Sequence, residues 1–446
     1  MKTAYLLGIG GAGMAGLARF LQQKGITVRG YDRAKSVTTH HLEELGISID
    51  YDPNPLRLQR ADLCVYSAAI PKDFPLLMKA KETLPTFSRG EMMGNIQREF
   101  PKTVAVAGTH GKTTTVGMIT QIVKAAGQDP SVLIGGHFPE IGGYGQFGSS
   151  PLLLCEACEF AESFLHLSPT VGVLLNIDRD HLECYGSFKG LKEGFAAFLH
   201  NCQTCVVNGN NSYSVEASHS HPSVTVFGKS GALTAETITE QKGLFSFTLC
   251  RTGNPLGEIS LQVAGKHQVE NALAAATVGF LLGCSFDQIK TGLAAFSGVD
   301  RRFQIMYRDP TLTIADDYAH HPTEIAAVLS SAKRMGFSSI TAIFQPFTFS
   351  RTAALCREFA DALSLANRVI LAPIMAGREP PMQGVTSQLI ADDLPQATLC
   401  QSLSHCGAVA LAGREKGELI LTLGCGNVNE CALEMAELLK NNPSCA

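Results

Sequence analysis

The segment from Val104 to Thr115 constrains the fold more than any other part of the chain. The apolar run Val104 to Ala107 predicts a buried strand, a turn with Gly108 and Gly111 follows, and Val116 to Ala126 predicts a helix. A strand, a glycine-rich loop and a helix form a phosphate-binding loop, because the loop's N–H groups and the helix N-terminus face an anion. We therefore expect the chain to use a nucleoside triphosphate.

Lys112 and Thr113 carry the chemistry predicted for this loop. The lysine reaches the β- and γ-phosphates in such loops, and the threonine hydroxyl binds Mg²⁺. The common pattern is G-x-x-x-x-G-K-[ST], but Val106 stands where its first glycine would be, so the loop is shorter here. A glycine-rich turn with a surface lysine is the alternative interpretation of the same residues.

The composition indicates an enzyme of several domains without a nucleic-acid or membrane partner. The 446 residues are 45% hydrophobic, which suits about two to four domains. A net charge of −4 gives nucleic-acid binding no electrostatic support. The apolar segment Ala4 to Leu7 is too short for a signal peptide or a membrane span, and no later apolar run is long enough. We expect a cytoplasmic protein.

The chain has 14 cysteines, which we expect to be reduced because no signal peptide is apparent. Two C-x-x-C pairs, Cys155/Cys158 and Cys202/Cys205, are typical of a zinc site. The residues between the pairs, however, predict a strand and a helix rather than a compact loop. Cys155 ends an apolar strand, where a cysteine commonly serves as a small core residue.

A second glycine-rich turn lies near the N-terminus. Predicted strand Ala4 to Gly8 is followed by Gly10, Gly11 and Gly13 and then by predicted helix Ala12 to Lys24, and Asp32 follows a second predicted strand. This order fits the dinucleotide pattern G-x-G-x-x-G with its acidic residue. Physically it indicates a phosphate or diphosphate at a helix N-terminus, so a uridine diphosphate fits as well as NAD.

Alternating strands and helices continue along the whole chain and predict an α/β protein. We expect three consecutive α/β domains. They are a Rossmann-like domain at residues 1–100, a central P-loop ATPase domain at 101–299 and a Rossmann-like domain at 300–446. Within the second, residues 212–263 predict a β-rich insertion, and Ser297 to Arg302 predicts a linker to the third. The apolar runs of the third predict strands at Leu312 to Ala315, Ile340 to Phe344, Arg368 to Leu371 and Glu418 to Leu423.

Polar residues follow two predicted strands of the central domain. Glu156 comes after the strand Pro151 to Leu154, and His181 follows the strand Val171 to Leu175. Ligands bind at the carboxyl ends of strands in open α/β sheets, so both side chains are expected near Thr113. Mg²⁺ prefers oxygen ligands, which makes a histidine ligand unusual. The alternative for Glu156 is a solvated cluster with the nearby acidic residues.

Five motifs in this order resemble the Mur ligase family of ATP-dependent amide-forming enzymes, over essentially the whole chain. They are Gly108–Thr114, Asn176–Leu182, Gly265–Ala272, Arg301-Arg302 and Asp317–Thr323. Gln268 departs from the asparagine that the family usually has after Gly-Lys-His. The resemblance implies a UDP-sugar domain, a central ATPase and a C-terminal amino-acid domain, with ATP and Mg²⁺ as cofactors.

The resemblance also implies roles for individual residues. ATP is expected at Gly108, Thr109, His110, Gly111, Lys112, Thr113, Thr114, Asn271, Arg302 and Asp317, and Mg²⁺ at Thr113, Glu156 and His181. The substrates are expected at Gly10, Gly11, Gly13, Met14, Asp32, Ser67, His320 and Arg351, with His320 and His321 near the nucleotide and the incoming amino acid. Some relatives carbamylate a lysine to bridge metals, and Lys189 and Lys192 are the nearby candidates.

Looser stretches resemble the members of the family that join L-alanine to UDP-N-acetylmuramate in peptidoglycan precursor synthesis. They are Gly8–Met14, Glu156–Glu159, Phe344–Pro346 with Arg351-Thr352, and Gly377–Glu379. We expect such a ligase, as a monomer or weak homodimer. A ligase for a recycled peptide or another amino acid, a nicotinamide-dependent dehydrogenase and a nucleotide switch are the alternatives. For Asp316 to Thr323, a helix start capped by aspartate with Pro322 in its first turn is also predicted.

Overall fold

The chain is represented by a computed structural model that describes residues 2–179, 182–375 and 379–441. Three β-sheets of five, ten and six strands follow one another along these residues, with helices between the strands. The predicted α/β class with three consecutive α/β regions is confirmed. No helix in the described ranges combines the length and apolar character needed to cross a bilayer.

The first sheet alternates strands and helices as the sequence predicts. Its elements are β1 (Thr3–Leu7), α1 (Ala12–Gln23), β2 (Thr27–Tyr31), α2 (Val37–Glu44), β3 (Ser48–Asp50), β4 (Leu63–Tyr66), α3 (Pro75–Thr83), β5 (Thr86–Ser88) and α4 (Arg89–Gln97). The strands are parallel in the order β3-β2-β1-β4-β5, which is the Rossmann order 3-2-1-4-5-6 without its sixth strand. β1 is largely buried, because helices on both faces of a parallel sheet require apolar side chains on both faces.

The second sheet contains the phosphate-binding loop. Its elements are β6 (Lys102–Ala107), α5 (Lys112–Ala125), β7 (Ser131–Phe138), β8 (Gly143–Gln146), β9 (Leu152–Glu156), β10 (Val171–Leu174), α6 (Leu182–Tyr185), α7 (Phe188–His200), β11 (Thr204–Asn208), α8 (Ser212–Ser218), β12 (Val224–Phe227), β13 (Leu233–Gln241), β14 (Leu244–Arg251), β15 (Asn254–Ala264), α9 (His267–Leu281) and α10 (Phe286–Ala295). The order is β15-β14-β13-β12-β11-β10-β6-β9-β7-β8, so β6 lies between β10 and β9. Helix α5 begins earlier than predicted, because Gly111 caps it.

The third sheet is parallel except for its first strand. Its elements are β16 (Gln304–Arg308), β17 (Leu312–Asp317), α11 (Pro322–Arg334), β18 (Ile340–Phe344), α12 (Phe349–Ala354), α13 (Cys356–Leu363), β19 (Arg368–Leu371), α14 (Gln388–Asp392), β20 (Ala397–Leu399), α15 (Leu403–Ala412), β21 (Glu418–Leu423) and α16 (Val428–Asn441). The order is β16-β17-β21-β18-β19-β20. Strand β17 runs further than predicted and ends in two buried aspartates, Asp316 and Asp317.

The chain divides into two compact units. The first comprises Met1–Ile238, Ser246–Gln262 and Gln268–Val299, and the second comprises Thr239–Phe245, Val263–His267 and Asp300–Ala446. One apolar core in the first unit includes residues of both β1 and β6, and two cores in the second unit include residues of the third sheet. The domain bounds at residues 100 and 300 stay a prediction.

Candidate active site

The phosphate-binding loop joins β6 to α5, and its two glycines have backbone angles that disfavour other residues. Gly108 has φ +138° and Gly111 has φ +87°. A Cβ at Gly111 would lie 2.6 Å from Oδ1 of Asn271, and one at Gly108 would lie 3.0 Å from Cβ of Leu175. Glycine is therefore required at both positions, and the loop is fixed against the end of β10 and the start of α9.

The segment after β10 holds the loop in place through a set of hydrogen bonds. His110 N donates to Asn176 Oδ1 at 2.8 Å, and Asn176 Nδ2 donates to the His110 carbonyl at 3.1 Å. The Thr109 hydroxyl accepts from Asp178 N at 2.9 Å. His110 Nε2 also lies 3.3 Å from Asp178 Oδ2. These bonds fix the loop in one conformation, which suits it to receive phosphate without rearrangement.

Lys112 is largely buried and ion-paired rather than a free surface residue, which makes the surface-lysine interpretation wrong. Its Nζ donates to Glu159 Oε2 at 2.7 Å and Oε1 at 3.0 Å, and to the Gly108 carbonyl at 2.5 Å. The Lys112 side chain is 14% exposed and that of Glu159 is 2% exposed. Burial acts to lower the pKa of Lys112, but the Glu159 carboxylate outweighs it and the pKa is raised. The ammonium is therefore charged.

Glu159 is a site residue that the sequence did not single out. The motif Glu156–Glu159 contains it, but without the fold it belongs to a solvated acidic cluster. In the structure it lies just after β9, and Tyr185 Oη donates to its backbone carbonyl at 2.6 Å. Two residues that follow it, Ala161 and Glu162, have φ +52° and +55°, which L-residues rarely adopt.

Glu156 lies at the end of β9 beside the strand that leads into the loop. In the parallel pairing of β6 with β9, Val106 is the register partner of Glu156. Glu156 Oε1 accepts from Gly135 N at 2.5 Å, which fixes the carboxylate. Thr113 is 6% exposed in the first turn of α5. Glu156 and Thr113 offer oxygen atoms as metal ligands, which fit Mg²⁺. The third predicted ligand, His181, lies outside the described residues.

Two other predicted nucleotide residues, Asn271 and Thr114, are buried in the first unit. Asn271 Nδ2 donates to Gln268 Oε1 at 2.9 Å, while its Oδ1 faces Gly111. Asn271 thus supports the loop, and its contact with adenine stays a prediction. Thr114 is 7% exposed within the first turn of α5. The glutamine that departs from the family pattern therefore has a role as the acceptor for Asn271.

The N-terminal glycine turn joins β1 to α1. Gly10 N donates to Asp32 Oδ2 at 2.8 Å, so this carboxylate supports the turn. Gly11 is the N-cap of α1 without a side-chain cap, and a Cβ there would have no atom nearer than 3.5 Å. Ser67 follows β4, the strand beside β1, and its Oγ accepts from Ala69 N. Met14 is 2% exposed in the core, so its side chain is not placed for substrate.

In the second unit, Arg301 and Arg302 flank one ring but have different surroundings. Their guanidinium carbons lie 5.1 and 5.2 Å from the centre of the Tyr318 ring. Arg301 Nε also donates to Asp316 Oδ2 at 3.0 Å, and its terminal nitrogens donate to the carbonyls of Gly424 and Gly426. Arg301 therefore holds the strand ends together, which leaves Arg302 as the nucleotide candidate.

The segment from Asp317 to His321 is tightly organised. Asp317 accepts from the N–H groups of Ala319 and Phe303, both at 2.8 Å, and burial raises its pKa to about 6 while the Arg302 charge acts in the opposite direction. The predicted aspartate cap is wrong, because the His321 side chain caps α11 and accepts from Thr323 N. Pro322 begins that helix as predicted.

His320 and Arg351 complete the predicted substrate residues. His320 Nδ1 lies 3.0 Å from the Tyr318 carbonyl and 3.3 Å from Glu324 Oε2. Arg351 is on α12, where Ser350 N and Oγ donate to the Glu379 carboxylate. These bonds connect the residue just before the Arg351-Thr352 stretch to Glu379 at the end of the Gly377–Glu379 stretch. Gly377 and Arg378 themselves lie outside the described residues.

The zinc site that the two C-x-x-C pairs suggest has no support among the described residues. The two C-x-x-C pairs do not gather as a candidate metal cluster there. Cys155, Cys202 and Cys205 are buried core residues. Lys192 donates to Glu216 at 2.9 Å, and Lys189 is 84% exposed beside Glu193. Neither lysine, as far as the structure describes their partners, contacts Thr113 or Glu156.

Comparison with known proteins gives one result along the whole chain. The Mur ligase family, catalytic domain matches residues 3–101, the Mur ligase middle domain matches 106–279, and the Mur ligase, glutamate ligase domain matches 301–426. UDP-N-acetylmuramate–L-alanine ligase of Caldicellulosiruptor saccharolyticus is 37% identical, over 97% of each chain. That of Acetivibrio thermocellus is 35% identical, over 96% of this chain and 94% of its own.

Solved structures agree with this result. The crystal structure of UDP-N-acetylmuramate–alanine ligase from Thermotoga maritima has a TM-score of 0.87 and 27% identity, covering 99% of this chain and 100% of its own. A murein peptide ligase from Psychrobacter arcticus has a TM-score of 0.76 and 21% identity, covering 99% of both chains, and shows the fold alone.

Proposed function

The chain belongs to the Mur ligase family, and we propose that it joins L-alanine to the carboxylate of UDP-N-acetylmuramate with ATP as the energy source. Relatives of that name match it at 35–37% identity over nearly its full length. The structural observation that carries the proposal is the preorganised loop around Lys112, at the carboxyl end of β6 and beside Glu156. We place the reaction in the cytoplasm, where both ATP and the UDP-sugar are available.

The first step activates the carboxylate of the sugar substrate. A carboxylate oxygen attacks the γ-phosphorus of ATP, the bond from this phosphorus to the β,γ-bridging oxygen breaks, and ADP leaves an acyl phosphate behind. Positioning and charge stabilisation supply most of the catalysis in phosphoryl transfer. Lys112 binds the β- and γ-phosphate oxygens, and the N–H groups of the loop orient them. Mg²⁺, held by Thr113 and Glu156, would neutralise further phosphate charge.

Lys112 must change partner for this step. In the structure its charge is neutralised by a carboxylate that is 2% exposed. An ammonium has three donors, and here they are directed to Glu159 and to loop carbonyls. When ATP binds, at least one donor turns to phosphate, while Glu159 keeps the ammonium from leaving the loop.

The second step forms the amide. The amine of L-alanine attacks the acyl carbonyl, a tetrahedral intermediate forms, and phosphate leaves as the carbonyl is restored. The amine must lose protons, and an imidazole titrates in the suitable range. Of the two candidates, His320 is better placed, because the Glu324 carboxylate 3.3 Å from its Nδ1 would stabilise an imidazolium. His321 is engaged in capping α11.

Release of ADP tests the proposed function. The intact protein is assayed with UDP-N-acetylmuramate and Mg²⁺ against L-alanine, glycine, L-serine and a muropeptide-derived tripeptide, with each substrate omitted in turn. We expect turnover only with both substrates, and fastest with L-alanine. Turnover with the tripeptide and with none of the free amino acids would identify a recycling ligase instead. Binding of NAD without binding of the UDP-sugar would favour the dehydrogenase.

A further inference from the structure

The segment that follows strand β9 carries the carboxylate of Glu159, and its backbone is strained. Ala161 has φ +52° and ψ 34°, and Glu162 has φ +55° and ψ 22°. Both are left-handed conformations of residues that have a Cβ, which are unfavourable and persist only where the surrounding structure imposes them. The contacts that hold this segment therefore decide where Glu159 lies.

Tyr185, at the end of α6, holds the start of the strained segment. Its Oη donates to the Glu159 carbonyl at 2.6 Å, which is at the short end of the range for such bonds. Burial, followed by the charge of the Glu159 carboxylate, raises the pKa of Tyr185. The phenol therefore keeps its proton and remains a donor. The motifs that carry the family resemblance do not include this residue.

Helix α7 leaves room for the Tyr185 ring. Gly194 lies in the middle of α7, and a Cβ there would lie 2.6 Å from Cε1 of Tyr185. A Cβ at Gly190, one turn earlier, would lie 2.5 Å from the Tyr185 carbonyl oxygen. Glycine inside a helix is unfavourable compared with alanine, so the room that it leaves for the ring explains Gly194. The hydroxyl thus belongs to a side chain that is fixed by packing.

The other end of the strained segment packs on the same helix. The Phe164 ring stacks on Phe198 and lies perpendicular to Phe195, with ring centres 5.3 Å apart in both pairs. All three side chains are fully buried. The segment is therefore anchored at both ends against α7, through the Tyr185 hydroxyl at Glu159 and through the Phe164 ring.

Glu159 in turn orients the ammonium of Lys112. Both of its carboxylate oxygens accept from Lys112 Nζ, at 2.7 and 3.0 Å. A backbone shift at Glu159 would move both acceptors together, and the ammonium with them. A displacement of about 1 Å can cost about 100-fold in rate even when its origin is remote from the reacting atoms. A group that fixes the Glu159 backbone hence affects the phosphate-binding lysine without touching a substrate.

We propose that Tyr185 is a positioning residue for phosphoryl transfer, which acts through Glu159 on Lys112. This inference rests on the proposed function and adds to it a residue that keeps the ammonium in place for the phosphate oxygens. Tyr185 comes three residues after the Asn176–Leu182 stretch, which carries the predicted Mg²⁺ ligand His181. The segment that supplies a metal ligand would therefore also fix the partner of the lysine.

Tyr185→Phe tests the assignment, because it removes the hydroxyl and keeps the ring. ADP release is measured while ATP, UDP-N-acetylmuramate and L-alanine are varied in turn. Loss of one neutral hydrogen bond corresponds to a factor of about 3 to 10, and we expect kcat to fall by this factor while KM for L-alanine stays unchanged. The control is Tyr307→Phe, which loses a hydroxyl bond of similar length, 2.7 Å to Asp309, in the second unit. It should have the kcat of the wild type.

A double-mutant cycle separates positioning through Glu159 from general support of the fold. Glu159→Ala has no carboxylate to position, so adding Tyr185→Phe to it should change kcat by less than about twofold. An equal loss in both backgrounds would overturn the assignment, and so would a folded Tyr185→Phe protein with the kcat of the wild type. If Glu159→Ala does not fold, Glu159→Gln takes its place, and Tyr185→Phe should have a smaller effect there than in the wild type.

Failure of the proposed function would give a different result. A wild type that releases no ADP with all three substrates would refute the proposed function itself. The same cycle, measured as the Kd of a non-hydrolysable ATP analogue, would then decide the assignment. A Kd that rises in Tyr185→Phe only when Glu159 is present would support it, and an unchanged Kd would overturn it.

Discussion

The buried pair of Lys112 and Glu159 leads to a prediction that separates stability from catalysis. Replacing Lys112 by Ala leaves the Glu159 carboxylate, 2% exposed, without its partner. Breaking a buried ion pair from one side typically destabilises a protein by about 3–5 kcal/mol. This is a large share of the roughly 5–15 kcal/mol that stabilises a typical domain. Lys112→Ala should therefore lower stability as well as activity, contrary to the expectation for a surface lysine.

The double variant Lys112→Met/Glu159→Gln separates the loss of stability, which comes from the unpaired carboxylate, from the loss of activity, which comes from the missing ammonium. Removing both charges leaves no unpaired buried ion, so most of the lost stability should return. Activity should not return, because a lost charge-stabilising group of this kind reduces the rate by about 10²–10³-fold. Glu159→Gln alone keeps an acceptor for the ammonium and should be destabilised less than Lys112→Ala.

Guanidinium-induced unfolding followed by circular dichroism measures stability, and ATP turnover of the same preparations without denaturant measures activity. Lys192→Met is the matched control, because its partner Glu216 is 58% exposed. Loss of an exposed pair should change stability by only about 0–1 kcal/mol. If Lys112→Ala is as stable as Lys192→Met, the Lys112–Glu159 pair does not contribute to stability in the way that its burial indicates. If the double variant regains turnover, Lys112 is not the phosphate-binding lysine.

Three further predictions follow from the site. Glu156→Gln should raise the Mg²⁺ concentration needed for half-maximal turnover, and an unchanged requirement would show that this carboxylate is not a ligand. Gly11→Val should block UDP binding without unfolding the protein, because a Cβ at Gly11 meets nothing nearer than 3.5 Å; normal UDP affinity would place the diphosphate elsewhere. The third concerns Asp317, whose pKa is raised by burial from 3.8 to about 6. The contribution of the protonated Asp317 to stability is fully present below pH 3.8 and is lost as the pH rises through 6. The free energy of unfolding of the wild type, relative to that of Asp317→Asn, should therefore fall between pH 3.8 and 6 and level off above pH 6. A difference that stays constant with pH would contradict this prediction.

Much of the fold could be predicted because its strands are buried on both faces. Three of the strands in the third sheet, Ile340–Phe344, Arg368–Leu371 and Glu418–Leu423, have the predicted bounds. Strand β17 was predicted to end at Ala315, because two aspartates interrupt its apolar pattern. They belong to the strand because Asp316 has Arg301 and Thr422 as partners and Asp317 accepts two backbone N–H groups. Except for Ala319, which is two residues from Asp317, those partners are distant in sequence and leave no periodic signal.

The phosphate-binding loop was predictable for a different reason. Its function depends on local order, since a strand, two glycines with positive φ, Lys112 and a helix must follow one another directly. Glu159 carries no such local signal. It is one of several acidic residues in its segment, and only the neighbouring position of β9 in the sheet brings it to Lys112.

Arg301 and Arg302 illustrate why adjacent residues of one motif need the fold to be told apart. Both are arginines beside Tyr318, so composition and spacing give them the same role. Arg301 has φ +64°, and its guanidinium is bound to a buried carboxylate and to two carbonyls of the turn after β21. These bonds connect the start of the third sheet with its centre, which is a structural task that leaves few donors for a ligand. Arg302 shares the ring but not those bonds, and it is the arginine whose charge acts on Asp317. The motif is therefore one structural arginine followed by one that is available to a nucleotide.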